Sequence, residues 1–276
     1  MSADFLATMA ASSRRRVEAA RQLHSDAKLW RWAESSPPPP RLLLSEQGFD
    51  VIAEVKLRSP AVGQLKGGDE DVQARVTSYA RAGAAAVSVL TEPERFEGSL
   101  DHLEQAARAL QAAGRVPAMR KDFLVDPYQV AEARLAGAGG ILIIVRMLER
   151  AELDALIEAA AKLDLFVLIE TFDEADIRVA RDLLDAHAGR KVPLLAGINS
   201  RDLVTLKVVP GRLEQLVGLL PTGVPRVAES GVADAADAAR LARAGYEMAL
   251  VGSALMTAPE PAALLADMLA AGRGAR

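Results

Sequence analysis

The chain of 276 residues contains no cysteine. Disulfides, thiolate zinc sites and a cysteine nucleophile are therefore excluded. Histidine is scarce too: His24, His102 and His187 lie far apart, without the spacing of metal ligands. No metal site is expected, and each reads as a solvated helix residue. No apolar run reaches the roughly 18–20 residues of a membrane-crossing helix. Nor is a signal peptide expected, because Phe5–Ala11 is short and Arg14-Arg15-Arg16 follows it instead of preceding it. The formal net charge is -4, with no basic block beyond that triple arginine. This argues against nucleic acid as a partner, and the three arginines read as a solvated helix face. The expectation is a soluble cytoplasmic protein with no membrane or nucleic-acid partner, as a monomer or a homodimer.

The chain is 50% hydrophobic and 25% charged, the balance of a globular protein with a sizeable core. Asp4–Leu23 reads as a helix with an imperfect apolar stripe of Phe5, Met9, Val17 and Ala20. Trp30 and Trp32 follow, and then Pro37-Pro38-Pro39-Pro40, which cannot be helical and reads as an extended tether. Apolar Leu42–Leu44 leads on to the first strand. Residues 1–48 are thus read as an N-terminal helical extension and 49–276 as one large domain.

From Asp50 onward, strand-length apolar runs alternate with Ala/Leu-rich helical stretches at intervals of about 25–30 residues, the size of a βα unit. The strands are read at Val51–Lys56, Ala85–Thr91, Val116–Lys121, Gly140–Val145, Leu165–Thr171, Leu194–Asn199, Arg226–Ser230 and Met248–Gly252. Helices are read between them, and several close on a glycine such as Gly83, Gly114, Gly137 or Gly245. Eight such units fit an α/β fold of the (β/α)8 TIM-barrel class. An open doubly wound sheet would want a Gly-rich fingerprint after its first strand. Glu54-Val55-Lys56-Leu57-Arg58-Ser59-Pro60 is not one.

In such a barrel, catalytic groups come from the C-terminal ends of the strands. The first strand places Glu54 and Lys56 on one face, since side chains alternate with period two. A structural ion pair would explain that stretch alone. The other ends repeat the pattern: Leu90-Thr91-Glu92 with Phe96 and Gly98-Ser99 beyond, Arg120-Lys121-Asp122-Phe123, Val145-Arg146, Glu170, Asn199-Ser200-Arg201, Glu229-Ser230-Gly231 and Gly252-Ser253. The last two pair a hydroxyl residue with glycine just before a helical stretch. Exposed backbone N–H groups at such turns bind phosphate, and this fold often holds phosphate after strands seven and eight. The alternative is that these glycines only permit tight turns. A phosphorylated small molecule is the preferred ligand.

These residues resemble the indole-3-glycerol phosphate synthase family of tryptophan biosynthesis. The matching pieces are Ile52–Pro60, Leu90–Ser99, Arg120–Gln129, Gly197–Leu203, Glu229–Gly231 and Val251–Met256, with Pro-Pro-Arg ahead of the first strand. Arg120–Gln129 (Arg-Lys-Asp-Phe-Leu-Val-Asp-Pro-Tyr-Gln) is the most specific. The resemblance implies a lyase that closes the ring of 1-(2-carboxyphenylamino)-1-deoxyribulose 5-phosphate with loss of carbon dioxide and water, without cofactor or metal. It implies Lys121 as general acid toward the ketone oxygen, Lys56 as holder of the carboxylate and later proton donor, and Glu170 as general base. Glu54 and Asn199 would orient the ammonium groups and substrate hydroxyls, with Ser230 lining the site. Phe96 and Phe123 would pack on the aromatic ring, Arg201 and Glu229 would contact substrate, and Ser59, Gly231, Gly252 and Ser253 would hold the phosphate. The chain departs from the family pattern at Leu57, at Ala61-Val62-Gly63, at Thr171-Phe172, and at Ser200 and Asp202 on either side of Arg201. Two rivals differ in class. Phosphoribosylanthranilate isomerase uses a cysteine base, which this chain lacks. A catalytically silent barrel that binds a related sugar phosphate or a partner enzyme would have no reason to keep both lysines.

Overall fold

The structure is a computed structural model that describes residues 5–59, 63–64, 71–202 and 205–276. Eight parallel strands close into a barrel: β1 (Asp50–Val55), β2 (Ala86–Leu90), β3 (Ala118–Lys121), β4 (Gly140–Ile144), β5 (Phe166–Thr171), β6 (Leu194–Asn199), β7 (Arg226–Glu229) and β8 (Met248–Val251). Closure is made by β1, which pairs with β2 (Ile52 opposite Ala86) and with β8 (Val51 opposite Ala249). The sequence of β1 explains its place. It is buried on both faces, as barrel strands must be. Val51, Ala53 and Val55 face the surrounding helices, while Ile52 joins the barrel interior.

The interior is filled, not hollow. Ile52, Met119, Leu142, Phe166, Leu168, Leu195, Val227, Met248 and Leu250 pack inside it. Gly140 leaves the Phe166 ring its room: a Cβ there would stand 2.3 Å from a ring carbon. One step further along β1, β3, β5, β6 and β7, the inward positions turn polar, at Glu54, Lys121, Glu170, Asn199 and Glu229. That change of layer marks the site.

The helices form the outer ring: α1 (Phe5–Leu23), α2 (Asp26–Ser35), α3 (Val72–Arg81), α4 (Pro93–Phe96), α5 (Leu100–Ala112), α6 (Pro127–Leu135), α7 (Arg150–Lys162), α8 (Glu174–Ala186), α9 (Arg212–Leu216), α10 (Ala235–Ala244), α11 (Ser253–Thr257) and α12 (Pro261–Gly274). Their starts are set by acceptor side chains. Asp71, Ser99, Asp126, Asp173 and Asp234 each accept from a backbone N–H of the first turn. Gly83 (φ 99°) and Gly245 (φ 111°) take the left-handed conformation that ends a helix.

Trp30 and Trp32 belong to α2, with Lys162 over the Trp30 ring at 4.9 Å and Lys28 over Trp32 at 4.6 Å. Two sequence expectations are corrected. His187 is not solvated. It is buried between α7 and α8, its Nε2 2.8 Å from Asp154 Oδ1. Nor is the triple arginine a free face, because Arg16 is drawn into the barrel end. Leu42 packs against the inner cluster, as do Phe5, Leu6 and Met9 of α1.

Candidate active site

A cavity of about 470 Å³ opens among the polar strand ends. Glu54, Lys56, Lys121, Glu170, Asn199, Arg201, Glu229, Ser230, Gly231, Gly252 and Ser253 all line it, together with Phe96 and Phe123. The side chain of Ser59 lies outside the described residues, as do Pro60, Ala61, Val62 and Leu203. Every other predicted site residue is brought to this one space. That size suits a small organic ligand.

The charges are arranged in two ammonium–carboxylate pairs. Lys56 Nζ donates to Glu54 Oε1 at 2.7 Å, and Lys121 Nζ donates to Glu170 Oε2 at 3.1 Å. Both carboxylates are only 3% exposed, while Lys56 and Lys121 keep 14% and 19% open to the cavity. Burial alone would push the Lys121 ammonium down. The acidic side chains that face it, Glu170 first, outweigh it and hold the group above the ordinary lysine range. Lys121 is therefore charged at neutral pH. Its neighbour Asp122 is instead held by Arg16 and Arg120.

Glycine sets how closely these groups pack. A Cβ on Gly252 would stand 2.3 Å from Glu54 Oε1 and 2.8 Å from Lys56 Nζ. The loop after β8 thus abuts the first ion pair directly. Ser230 and Gly231 both have positive φ, 66° and 74°, which turns the chain sharply after β7. Ser253 is the first residue of α11. Asn199 Oδ1 accepts from the Arg201 N–H at 2.9 Å, and Arg201 Nη1 donates to the Leu206 carbonyl at 2.6 Å.

Two strand ends do not contribute as the sequence suggested. Arg146 turns away to Asp173 and Asp176 and lies over the Phe172 ring at 4.6 Å. Glu92 caps α4, and Thr91 donates to Asp122 Oδ2 at 2.7 Å. Conversely, sequence reading missed Phe5 and Leu6, which reach the cavity from α1. The Phe5 and Phe123 rings meet edge to face at 5.8 Å, and Phe96 lies 6.2 Å from Phe123. The signal available was an aromatic at the start of an apolar helical stripe.

The segment Arg120–Gln129 does two jobs. Lys121 and Phe123 face the cavity, while Asp122, Asp126, Tyr128 and Gln129 hold α1 down. Arg16 makes a two-pronged contact with Asp122 at 2.7 and 2.9 Å, Gln129 Nε2 donates to Ser13 Oγ, Tyr128 donates to the Ala20 and His24 carbonyls, and Arg21 pairs with Asp126. Asp122 also accepts from Arg120 at 3.0 Å. Burial would raise its pKa, but these hydrogen bonds and positive charges hold it well below the usual carboxylate range.

A group with a depressed folded-state pKa stabilises the fold above its unfolded value, about 3.9 for Asp, and loses that contribution as pH falls below it. Asp122→Ala is expected to cost about 3 kcal/mol at pH 7, the cost of stranding a buried partner. Urea unfolding at a series of pH values checks this. The gap to the wild type should narrow below about pH 4, and a gap independent of pH would show that the carboxylate charge contributes nothing.

Comparison with known proteins bears on this geometry. The sequence model described as indole-3-glycerol phosphate synthase matches residues 6–268. The chain belongs to that family. It is 43% identical to the indole-3-glycerol phosphate synthase of Beutenbergia cavernae over 231 residues, covering 84% of this chain and 81% of the relative. It is 42% identical to that of Mycolicibacterium smegmatis over 245 residues, covering 87% and 84%. Among solved structures, 3-hexulose-6-phosphate synthase from Salmonella typhimurium superposes with a TM-score of 0.61 at 11% identity, covering 83% of this chain and 100% of that one. Thiamine phosphate pyrophosphorylase from Pyrococcus furiosus gives 0.59 at 14%, covering 83% and 97%. These two show a shared barrel fold. The departures at Thr171 and Phe172 lie behind the wall. Thr171 Oγ1 donates to the Gly197 carbonyl at 2.7 Å, Phe172 is buried under Arg146, and neither lines the cavity.

Proposed function

We propose that this protein is an indole-3-glycerol phosphate synthase acting on 1-(2-carboxyphenylamino)-1-deoxyribulose 5-phosphate in the cytoplasm, with residues 49–276 as its catalytic barrel. The observation that carries the reading is the presence of two buried-end ammonium–carboxylate pairs facing one cavity in a chain of this family. The ring carbon bearing the carboxylate attacks the ketone carbon, and the oxygen that gains the electron pair takes a proton from Lys121. Carbon dioxide leaves, and its bonding electrons restore the ring. The new hydroxyl then departs as water on receiving a second proton, given in this reading by Lys56. Glu170 removes a proton from the methylene beside nitrogen. Two protons are delivered to oxygen and one is collected from carbon, so each turnover takes one net proton from solvent.

The remaining roles are assigned by resemblance to the family. Glu54 and Asn199 orient the ammonium groups and the sugar hydroxyls. Phe96 and Phe123 hold the aromatic ring, and Ser230 lines the reacting end. Arg201 and Glu229 contact substrate. Gly231, Gly252 and Ser253, with Ser59 from the loop after β1, take the phosphate through backbone N–H and hydroxyl groups. The purified protein mixed with this substrate is expected to generate indole absorbance and fluorescence. Binding of the substrate without turnover would select a silent barrel instead.

The Gly252 contacts sharpen one expectation. A phosphate role alone predicts a rise in KM on adding a side chain. Because a Cβ strikes the Glu54–Lys56 pair, Gly252→Ala should also lower kcat, by about 10²-fold for a displacement of this order. Steady-state kinetics on the folded variant separate the two. A change confined to KM would mean that the pair tolerates the displacement.

A further inference from the structure

We propose that Glu229 stores a proton in the resting enzyme and reloads Lys121 with it after Lys121 has protonated the ketone oxygen. This rests on the ring-closure reading above.

Glu229 ends β7 and is 1% exposed. Neither of its carboxyl oxygens receives a hydrogen bond from a donor among the described residues. An ionised carboxylate in that position would be costly, since nothing replaces its lost water. Its setting explains why. On the β6 side it lies against the bare backbone of Gly197, where a Cβ would stand 2.2 Å from Oε1, with Leu168 Cδ1 3.0 Å from the same point. The residues opposite it in register are Asn199 on β6 and Leu250 on β8, and neither carries charge. Glu170 from β5, Lys121 from β3 and Glu54 from β1 line the same cavity, and their charges act on it. Arg201 acts on Glu54 instead. Burial first, and then the Glu170 carboxylate, drive the Glu229 carboxyl well above the usual carboxylate range, against the pull of Lys121.

The charges make the same point. Glu54, Glu170 and Glu229 surround two ammonium groups, Lys56 and Lys121, each already paired with one carboxylate. The third acid has no cation of its own. A proton on Glu229 removes the excess charge and lets its hydroxyl face the Glu170 carboxylate, which two ionised groups could not do. Glu170 holds the hydrogen bond from Lys121 and serves as the base, and Glu229 is the acid.

The transfer balances. Lys121 gives its proton to the ketone oxygen and becomes a neutral amine. Glu229 then gives its own proton to that amine across the shared cavity, restoring the ammonium and becoming a carboxylate. The proton collected by Glu170 and the net proton taken from solvent together restore Lys56 and Glu229, so every group ends the turnover as it began it. Glu229 thus acts through Lys121 and does not replace it.

The test begins without substrate. Infrared difference spectra of the full-length protein at pH 7, wild type against Glu229→Gln, are expected to contain the carbonyl band of a protonated carboxylic acid. Identical spectra would overturn the proposal. In Glu170→Gln, the titration of that band should move to lower pH, and an unmoved titration would overturn the pairing. In turnover, Glu229→Gln keeps the shape but has no proton to give. Its kcat should fall about 10²-fold, by far more than KM changes through the altered substrate contact, and kcat should rise with the concentration of a small acid such as imidazolium. An unchanged kcat, or a loss in the folded variant that no buffer acid relieves, would sink the reloading step. The band is read without substrate. A wild type that forms no indole product therefore overturns the reaction and leaves the stored proton standing.

Discussion

Lys121→Ala is expected to lower kcat by about 10²–10⁴-fold with only a modest change in KM. The ammonium is the group aimed into the cavity from β3, and the acidic groups around it, Glu170 first, hold it charged. A proton donor this well stabilised gives up its proton only to a strong base. The alkoxide that forms on ring attack is one, while the ground-state ketone is not. Lys121 therefore acts mainly in the transition state, and its removal shows in kcat. Its partner shares the loss. Without Lys121, Glu170 loses the hydrogen bond that fixes its Oε2, so Lys121→Ala and Glu170→Gln should combine less than additively. Steady-state kinetics on the two single variants and the double variant measure this. Near-normal turnover in Lys121→Ala would transfer the first proton donation to Lys56.

The barrel is legible in the sequence because each strand is a short apolar run buried on both faces, and because acceptor residues and glycines bracket the helices. The strand ends stand out for the same reason: Glu54, Lys121 and Glu170 interrupt apolar runs at points where burial without function would be costly. What is not legible is direction. Arg146, Thr91 and Glu92 also end strands, yet they turn outward or cap a neighbouring turn, and local spacing does not separate them from Lys121. The docking of α1 is hidden for a different reason. Arg16 and Asp122 are 106 positions apart, and no periodic pattern connects them. The tertiary pairing converts what reads as a solvated arginine cluster into a clamp. Likewise, the role of Gly252 as the shoulder of the Glu54–Lys56 pair depends on β1 lying beside β8, which closure of the barrel alone brings about.

The Glu54→Gln and Lys56→Met double variant is expected to fold and to be inactive. Glu54 is almost fully buried, and Lys56 is its hydrogen-bonded partner at 2.7 Å. Deleting one member would strand the other, and a lost activity would then be confounded with a lost fold. Removing both charges together avoids this, because a buried pair can often be replaced by neutral groups of similar volume at little cost in stability. The substitutions preserve the shape against which Gly252 packs. They also preserve an amide where the carboxylate stood. What they remove is the ammonium that would hold the substrate carboxylate and give the second proton, along with the anion that aims it. Glu54 Oε2 is buried and receives no hydrogen bond among the described residues, which leaves it as the acceptor for a substrate hydroxyl. Its exchange for an amide weakens that contact as well. A thermal melt followed by circular dichroism, run beside the fluorescence assay, separates the cases. A melt near that of the wild type with no indole product assigns the pair to chemistry. A folded variant that turns over near normally would make it an ion pair of structure alone and would move the centre of the site to Lys121, Glu170 and Glu229.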